Sequence, residues 1–247
     1  MAASQIQHLL FDLGGTLMHS REDWAPVYER ADEILSDKLR EYDILLDGHI
    51  FRKRLHQYYE RREKDLWETT YHFVLRELLK ELGYVEVAES ILRPALDAMF
   101  SITQKNWMLE EDALEAIQKL KSNNYHLGIF SNAGDDDDVQ QLVENFGIRP
   151  HFDFVLTSAA CFYRKPHPRT FEIALAQWNI EPEEAVMIGD SLSADIFGAK
   201  NLNMQTVWLA RRAQFTADEE QRIRPDFSLP SLDKLLPILE QINLNRS

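Results

Sequence analysis

Several polar residues stand directly after short apolar runs of the chain. A short apolar run that stops at a glycine or a turn is typical of a buried strand. In an open parallel sheet, ligands bind outside the carboxyl ends of the strands, so the residues just after these runs are the candidates for chemistry. The candidates are Asp12, Ser131, Asn132, Lys165, Asp190 and Asp195.

Together, these residue types indicate transfer of a phosphoryl group. The carboxylate of Asp12 can attack phosphorus and form an aspartyl phosphate, while Ser131 and Lys165 can bind phosphate oxygens and neutralise their charge. Mg²⁺ prefers hard oxygen ligands and keeps several waters, so Asp12, Asp190 and one backbone carbonyl would suffice to bind it. The metal would also reduce the repulsion between an anionic nucleophile and an anionic substrate.

Each candidate also has an ordinary structural explanation. Asp190 could precede a helix cap, Asp195 could be a charge in a first helical turn, and Lys165 before Pro166 could be a solvated loop residue. The occurrence of all of them at strand ends favours one common site.

The elements that must position these residues alternate along the chain. The first strand is predicted over 6–13, and a last strand and helix follow Pro225. Strands separated by helices require parallel crossovers, which predicts a doubly wound parallel sheet with helices on both faces. Between the first and the last predicted strand, helices are predicted over 111–123, 138–146, 168–178 and 193–201. Strands are predicted there over 125–131, 153–157, 184–189 and 204–209.

The segment from Trp24 to Phe100 differs, because its apolar residues recur at helical spacing and no strand is convincing. The predicted fold class is therefore α/β: a Rossmann-like core of residues 1–19 and 104–247, with an all-helical domain of residues 20–103 inserted after the first strand. The acidic run Asp135 to Asp138 is expected at the amino-terminal end of a helix.

Composition limits the partners and the compartment. With 41 acidic and 27 basic residues, the formal charge of −14 would repel nucleic acid and anionic membranes. The single cysteine, Cys161, excludes an internal disulfide and a cysteine-based zinc cluster. No apolar stretch approaches the roughly 18 residues of a membrane span, and no leader is recognisable. We therefore expect a cytoplasmic protein with no nucleic-acid or membrane partner.

Four sequence motifs resemble those of the haloacid dehalogenase superfamily, and the resemblance covers nearly the whole chain. The motifs are LLFDLGGTL at 9–17, LGIFSNAG at 127–134, RKPHPRTFEIAL at 164–175 and VMIGDSLSADIFGAKNLNMQTVWL at 186–209. The helical segment after the first motif resembles the cap that covers the substrate in one large branch of the family.

The resemblance implies a role for each matched position. It implies that Asp12 is the nucleophile and a metal ligand, that Ser131 binds phosphate, and that Lys165 steadies the nucleophile and the phosphate. It further implies a Mg²⁺ cofactor bound by Asp12, Asp190 and the backbone carbonyl of Gly14, with Asp195 supporting the metal site. Thr16 would be a local structural support and Asn132 a flanking substrate contact. The implied partner is a small phosphorylated substrate.

Residue 14 departs from the family pattern. Phosphatases of this family generally have a second aspartate there, which protonates the leaving group and then activates water. Gly14 keeps a backbone carbonyl for a metal but cannot transfer a proton, and such help is worth about 10²–10⁴ in rate. The sequence therefore predicts a phosphate site that turns over slowly unless the leaving group is good.

Three other functions stay open. The chain could cleave carbon–halogen bonds, or it could cleave carbon–phosphorus bonds with Lys53 or Lys64 as a Schiff-base lysine. Both lysines more simply belong to a solvated helix face with Arg52, Arg54, Arg61 and Arg62. It could be a phosphate- and metal-binding regulator without efficient chemistry. DLGGT also resembles a phosphate loop of actin-like kinases, but a helical pattern follows it.

Residues that could select the substrate are Tyr28, His56, Tyr58, Tyr59 and Arg62.

Overall fold

Six parallel strands form one sheet in the computed structural model, which describes residues 5–213 and 215–246, without the side chains of residues 62 and 63. The order across the sheet is β5-β4-β1-β6-β7-β8, so that β1 lies in its middle and pairs with β4 and β6. The strands are β1 (His8–Phe11), β4 (His126–Ser131), β5 (Phe154–Thr157), β6 (Ala185–Gly189), β7 (Gln205–Leu209) and β8 (Phe227–Leu229).

Helices cover both faces of this sheet, which is why its central strands consist largely of buried apolar residues. Leu9 packs in the core on one face and Leu10 in the core on the other. The helices are α5 (Ala113–Ser122), α6 (Asp136–Asn145), α7 (Ser158–Cys161), α8 (Pro168–Ala176), α9 (Phe197–Lys200), α10 (Ala217–Ile223) and α11 (Leu235–Leu244). The predicted doubly wound α/β core is confirmed.

The four helices that lie between residues 20 and 107 form a separate bundle, which we call the helical insertion. Each buries an apolar stripe against the others, with Leu35, Phe51, Leu75 and Leu96 among the fully buried residues of its own core. The helices are α1 (Trp24–Arg40), α2 (Gly48–Asp65), α3 (Tyr71–Glu81) and α4 (Glu89–Gln104).

A small antiparallel pair of strands joins the helical insertion to the core. β2 (Met18–Ser20) pairs with β3 (Trp107–Leu109), so the chain enters and leaves the insertion side by side. The sequence did not predict this pair, because three-residue strands carry too little periodicity to detect. It brings Trp107 next to the loop that follows β1.

Differences from the predicted elements are otherwise small. The helix predicted over 193–201 is a π-helix (Leu192–Ile196) followed by α9, and α10 was not predicted. Asp135 is the N-cap of α6 and its side chain accepts a hydrogen bond from the Asp138 amide, as the acidic run predicts. No helix in residues 5–213 and 215–246 is both long and apolar enough to cross a membrane.

Among the contacts between the helical insertion and the core, two sets involve charged side chains of the described residues. The backbone of Leu66 and Glu68 pairs with that of Phe162 and Arg164, and the buried Glu68 carboxylate accepts hydrogen bonds from Ser158 (2.5 Å) and Arg164. We call this contact the 66–68 strap. It ends one residue before Lys165.

The second set lies at the start of α6. Arg93 of α4 pairs with Asp135 at 2.9 Å, and the Gln104 side-chain amide donates to the Asp138 carboxylate at 2.8 Å. The helical insertion therefore covers the carboxyl edge of the sheet on the side of β4.

Candidate active site

The site forms where β1, β4 and β6 end side by side. Asp12 follows β1 and is 8 % exposed, and Lys165, 3 % exposed, enters from the loop between α7 and α8. The Lys165 ammonium donates to Asp12 Oδ1 at 2.7 Å and to the Phe130 carbonyl at 2.6 Å, and it pairs with Asp195 at 2.7 Å. The lysine thus holds two carboxylates from separate segments, the loop after β1 and the π-helix after β6.

Asn132 fixes the position of the lysine. Its side-chain oxygen accepts from the Lys165 amide at 2.8 Å, and its side-chain nitrogen donates to the Lys165 carbonyl at 3.0 Å. Both polar atoms of the Asn132 side chain therefore bond to the backbone of Lys165. They connect the loop after β4 to the loop between α7 and α8. Ser131 is buried beside it and lines the same cavity as Asp12.

Three carboxylates meet at this edge of the sheet. One oxygen from each of Asp12, Asp190 and Asp195 lies within 4.8 Å of the others. Asp195 also accepts a hydrogen bond from the Ser191 amide at 3.0 Å, which anchors it below the loop after β6. Three carboxylates around one point, with a single lysine between them, are a donor set that suits a hard cation.

Burial and mutual repulsion shape the charges of this cluster. Burial raises the pKa of Asp12 to about 6 against the opposing pull of Lys165, and burial together with the charges of Asp12 and Asp195 raises the pKa of Asp190 to about 8. Burial lowers the pKa of Lys165, but the two carboxylates outweigh it and the pKa is raised. The cluster therefore carries more negative charge than one lysine compensates.

The two glycines after Asp12 leave room for different neighbours. A Cβ on Gly15, whose φ is +85°, would lie 2.2 Å from an Asp190 carboxylate oxygen, so only glycine fits between the two loops. A Cβ on Gly14 would lie 3.0 Å from the indole of Trp107. The indole thus occupies the space next to residue 14 into which a side chain would extend.

A cavity of about 390 Å³ opens above these residues. It is lined by the site residues predicted from the sequence, namely Asp12, Gly14, Ser131, Asn132, Lys165, Asp190 and Asp195. All of them therefore face one space, although they come from four separate stretches of the chain.

A second cavity, of about 340 Å³, lies between the helical insertion and the core. It shares wall residues with the first cavity, including Trp107, Asn132, Asp138 and Arg164. Its remaining wall is largely aromatic and comes from the insertion, with Trp24, Tyr28, Tyr59, Tyr71 and Phe100.

The structure sorts the other residues singled out in the sequence. Tyr28 and Tyr59 line the second cavity, whereas His56 and Tyr58 line neither cavity; the Arg62 side chain is outside the described part. Lys53 and Lys64 are exposed and line neither cavity, so neither occupies the position of a Schiff-base lysine.

One residue assigned to a solvated helix face was misplaced. Arg52 is only 13 % exposed, pairs with the buried Asp32 at 2.7 Å and lies 4.2 Å over the ring of Tyr28. It lines the second cavity. The burial of Arg52 could not be recognised from the surrounding basic residues. A charged residue that tertiary packing buries has the same local sequence as one exposed to solvent.

Trp107, Trp24, Asp138 and Arg164 line the cavities but were not predicted as site residues. The available signals were weak. Arg164 is adjacent to Lys165, and Trp107 stands at the point where the helical pattern ends. Nothing local indicates that β2 and β3 pair.

The parallel sheet, with its polar strand ends and a helical bundle inserted after the first strand, defines an α/β protein of the hydrolase type. The family model of haloacid dehalogenase-like hydrolases matches residues 9–209, and the chain belongs to that family. The match spans both the core and the helical insertion.

Curated relatives agree with this assignment. The glyceraldehyde 3-phosphate phosphatase of Pyrococcus furiosus is 34 % identical over 131 residues, covering 53 % of this chain and 54 % of the relative. The chain thus spans about half the length of this relative. Pyrophosphatase PpaX of Bacillus cereus is 28 % identical over 244 residues, covering 97 % of this chain and 99 % of the relative.

Solved structures share the fold. A haloacid dehalogenase-type phosphatase from Thermococcus onnurineus superimposes with a TM-score of 0.63 at 22 % identity, covering 95 % of this chain and 98 % of that one. At this level of identity, the likeness supports the architecture only.

Proposed function

We propose that the chain is a Mg²⁺-dependent phosphatase that acts on a small phosphate ester through an aspartyl phosphate on Asp12. The observation that carries the proposal is the 2.7 Å contact between Lys165 and Asp12 at the edge of a three-carboxylate cluster. Two relatives whose names describe phosphate hydrolysis support it.

In the first step, a carboxylate oxygen of Asp12 forms a bond to phosphorus while the bond from phosphorus to the leaving oxygen breaks. The electron pair of that bond stays on the leaving oxygen. Lys165 fixes the attacking carboxylate and offers positive charge to the phosphoryl oxygens, and Ser131 offers a hydroxyl from the other side of the cavity. In the second step, water attacks the aspartyl phosphate and releases phosphate and free Asp12.

The residues present fit a magnesium ion. Asp12, Asp190 and the backbone carbonyl of Gly14 would bind it, and Asp195 would support them. Within the described residues, no hydrogen bond ends on the Gly14 carbonyl; the turn is closed instead by the Leu13 carbonyl and the Gly15 amide. When bound, the ion supplies charge neutralisation between the carboxylates and the phosphoryl group.

Gly14 affects the two steps differently. A good leaving group departs without a proton donor, so the first step can proceed. The second step lacks, with every substrate, the base for water that an aspartate at residue 14 would supply. We therefore expect phosphoenzyme formation to be faster than its hydrolysis.

The helical insertion acts as a cap in this proposal. It closes the cavity from the side of β4, and the 66–68 strap holds it next to Lys165. Exclusion of bulk water strengthens the electrostatic interactions inside the site. The aromatic residues of the insertion would then contact the part of the substrate that departs.

The proposal is tested with acetyl phosphate, a small substrate with a good leaving group. The wild type should release phosphate with Mg²⁺ and form an acid-stable, hydroxylamine-sensitive phosphoenzyme, and Asp12→Asn should do neither. Asp226→Asn, a partly exposed carboxylate elsewhere on the core, serves as the matched control. Turnover that persists in Asp12→Asn would rule out the aspartyl phosphate.

A phosphate-binding regulator is the second candidate, favoured by the missing acid and by the indole beside Gly14. It predicts that inorganic phosphate and Mg²⁺ bind to the wild type with no phosphoenzyme and no turnover of acetyl phosphate. The same experiment therefore separates the two functions.

A further inference from the structure

We infer that this site takes the phosphate ester of an uncharged planar aromatic group, with the ring against Trp107 in the second cavity. The inference deepens the proposed phosphatase function and depends on it. It combines the shape of the second cavity, the charges on its wall and the chemistry that Gly14 leaves available.

The position of the second cavity relates it to the departing group. The two cavities share Trp107, Asn132 and Arg164 as wall residues. A phosphoryl group beside Asp12 lies in the first cavity, and the second cavity offers the remainder of the ester an adjoining space towards the insertion. A volume of about 340 Å³ falls within the range of small-molecule sites and accommodates a ring of ordinary size.

The wall of the second cavity is an aromatic cluster that crosses from the insertion to the core. Trp24 stacks on Tyr28 with ring centres 5.3 Å apart and meets the edge of Trp107 at 5.0 Å. All three side chains are only partly buried, so part of each ring surface remains available. A planar ring gains offset or edge contacts with such a wall that a saturated ring of equal size does not.

The cations of this wall are already paired. The Arg52 guanidinium makes two hydrogen bonds to the Asp32 carboxylate, and Arg164 pairs with the buried Glu68. Asp135, the N-cap of α6, is likewise paired with Arg93. A second anionic group on the substrate would therefore compete with an existing carboxylate for each cation, which favours an uncharged group.

The missing acid selects the same class of compound. Without a proton donor at residue 14, the leaving oxygen must depart from phosphorus with its negative charge unneutralised by a proton. An aryl oxide delocalises that charge over its ring and takes a proton from water after departure. An alkoxide cannot delocalise the charge and is therefore a poorer leaving group. General acid help worth about 10²–10⁴ is lost for alkyl esters and is needed least for aryl esters.

The binding preference is tested separately from the chemistry. Phenylphosphonate and cyclohexylphosphonate match in size and charge, and neither can be hydrolysed, so their inhibition constants against acetyl phosphate compare a planar with a saturated ring. We expect phenylphosphonate to bind about 3–10-fold more tightly, and 4-carboxyphenylphosphonate to bind less tightly than phenylphosphonate. Trp107→Ala should abolish the planar preference, and Trp107→Phe should retain part of it.

Tyr42→Ala is the matched control, because Tyr42 is an aromatic residue of the insertion that is 52 % exposed and lines neither cavity. It should keep the full planar preference. Equal inhibition by the phenyl and cyclohexyl compounds, or a planar preference that survives Trp107→Ala, would overturn the inference even if acetyl phosphate is hydrolysed.

The chemical preference is measured as kcat/KM, which reports steps up to formation of the phosphoenzyme. Phenyl phosphate should exceed cyclohexyl phosphate by about 100-fold or more, and kcat/KM should rise steeply with the acidity of substituted phenols. A shallow dependence would overturn the inference, since it would reveal a proton donor, for which Asp138 is the carboxyl group that lines both cavities. Absence of acetyl phosphate turnover would instead contradict the proposed function, and fluorescence titration with the two phosphonates would then still test the aromatic site.

Discussion

The indole of Trp107 and the α-carbon of Gly14 are packed so closely that a Cβ on residue 14 would lie 3.0 Å from the indole ring. β3 carries the indole and the loop after β1 carries the glycine, and the pairing of β2 with β3 fixes their distance. A side chain at residue 14 and the indole of Trp107 would therefore compete for the same space.

Restoring an aspartate at residue 14 is the first test of this relationship. Gly14→Asp alone should not raise activity on alkyl phosphates, because the new carboxylate and the indole compete for the same space. Gly14→Asp combined with Trp107→Ala should raise kcat/KM for cyclohexyl phosphate by about tenfold or more over Trp107→Ala alone, as expected for recovered acid catalysis. Steady-state kinetics of the four proteins form a double-mutant cycle, and additive effects would contradict the shared space.

The time course of product release should show that hydrolysis of the phosphoenzyme is the slow step. With 4-nitrophenyl phosphate, we expect a burst of nitrophenolate that approaches one per active site, followed by slow turnover. The physical reason is that Gly14 removes the base for water but spares departure of a good leaving group. Stopped-flow absorbance measures the burst, and a linear time course with no burst would contradict this order of rates.

The grouping of the candidate site residues at one edge of the sheet could be predicted from the sequence, because it follows from the order of the parallel strands. Asp12, Ser131 and Asp190 each end an apolar run, and parallel strands bring their carboxyl ends to one edge whatever the loops between them do. Short motifs with glycine and proline added the positions of Lys165 and Gly14. Apolar runs and short motifs are local features of the sequence, so a single sequence is enough to identify them.

The walls of the second cavity could not be predicted from the sequence in the same way. The environment of Arg52 depends on Asp32, 20 residues away on another helix, and that of Trp107 depends on a three-residue strand pair. Such contacts arise from tertiary packing, which leaves no periodic pattern in the sequence. The aromatic residues Tyr28 and Tyr59 were candidates, but nothing local distinguished them from Tyr58.

Magnesium binding should stabilise the folded protein through Asp190. We expect Mg²⁺ to raise the melting temperature of the wild type, because a cation reduces repulsion among three clustered carboxylates, of which Asp12 and Asp195 are buried. Asp190→Asn should lose most of this increase. Without metal and above pH 8, where Asp190 is ionised, the variant should melt at or above the wild-type temperature, since it removes one charge from the cluster. Thermal denaturation with Mg²⁺ and with a chelator measures both effects, and an undiminished Mg²⁺ shift in the variant would place the metal elsewhere.

The 66–68 strap should contribute strongly to stability through Glu68. Glu68→Gln deprives the largely buried Arg164 of this carboxylate, and loss of one partner of a buried pair costs about 3 kcal/mol. Urea denaturation measures the change in the free energy of unfolding. Glu81→Gln is the control, because Glu81 is 56 % exposed in its pair with Arg54 and exposed pairs contribute about 1 kcal/mol or less. Equal effects of the two substitutions would show that the strap adds no special stability.

Asp138 should make the stability of the protein depend on pH. Burial raises the pKa of this carboxyl group to about 7, with Asp135 and Asp97 adding negative charge nearby and Gln104 and Arg93 opposing them. In the unfolded chain, the pKa returns to about 3.8. Between these two values the folded state binds more protons than the unfolded state, so this group lowers stability as the pH rises from about 4 to about 7 and has a constant effect above that.

Asp138→Asn isolates this contribution, because asparagine keeps an acceptor for Gln104 and carries no charge. Near pH 5, the melting temperature of the variant should be close to that of the wild type. At pH 8 it should be higher, by about 3 °C for each kcal/mol that ionisation of Asp138 costs the folded protein. Asp137→Asn changes an exposed carboxylate on the same helical turn and should shift the melting temperature equally at both values of pH. Thermal denaturation of the three proteins at pH 5 and pH 8 measures the difference, and a gap between Asp138→Asn and wild type that does not widen with pH would show that Asp138 is ionised at little cost in the folded protein.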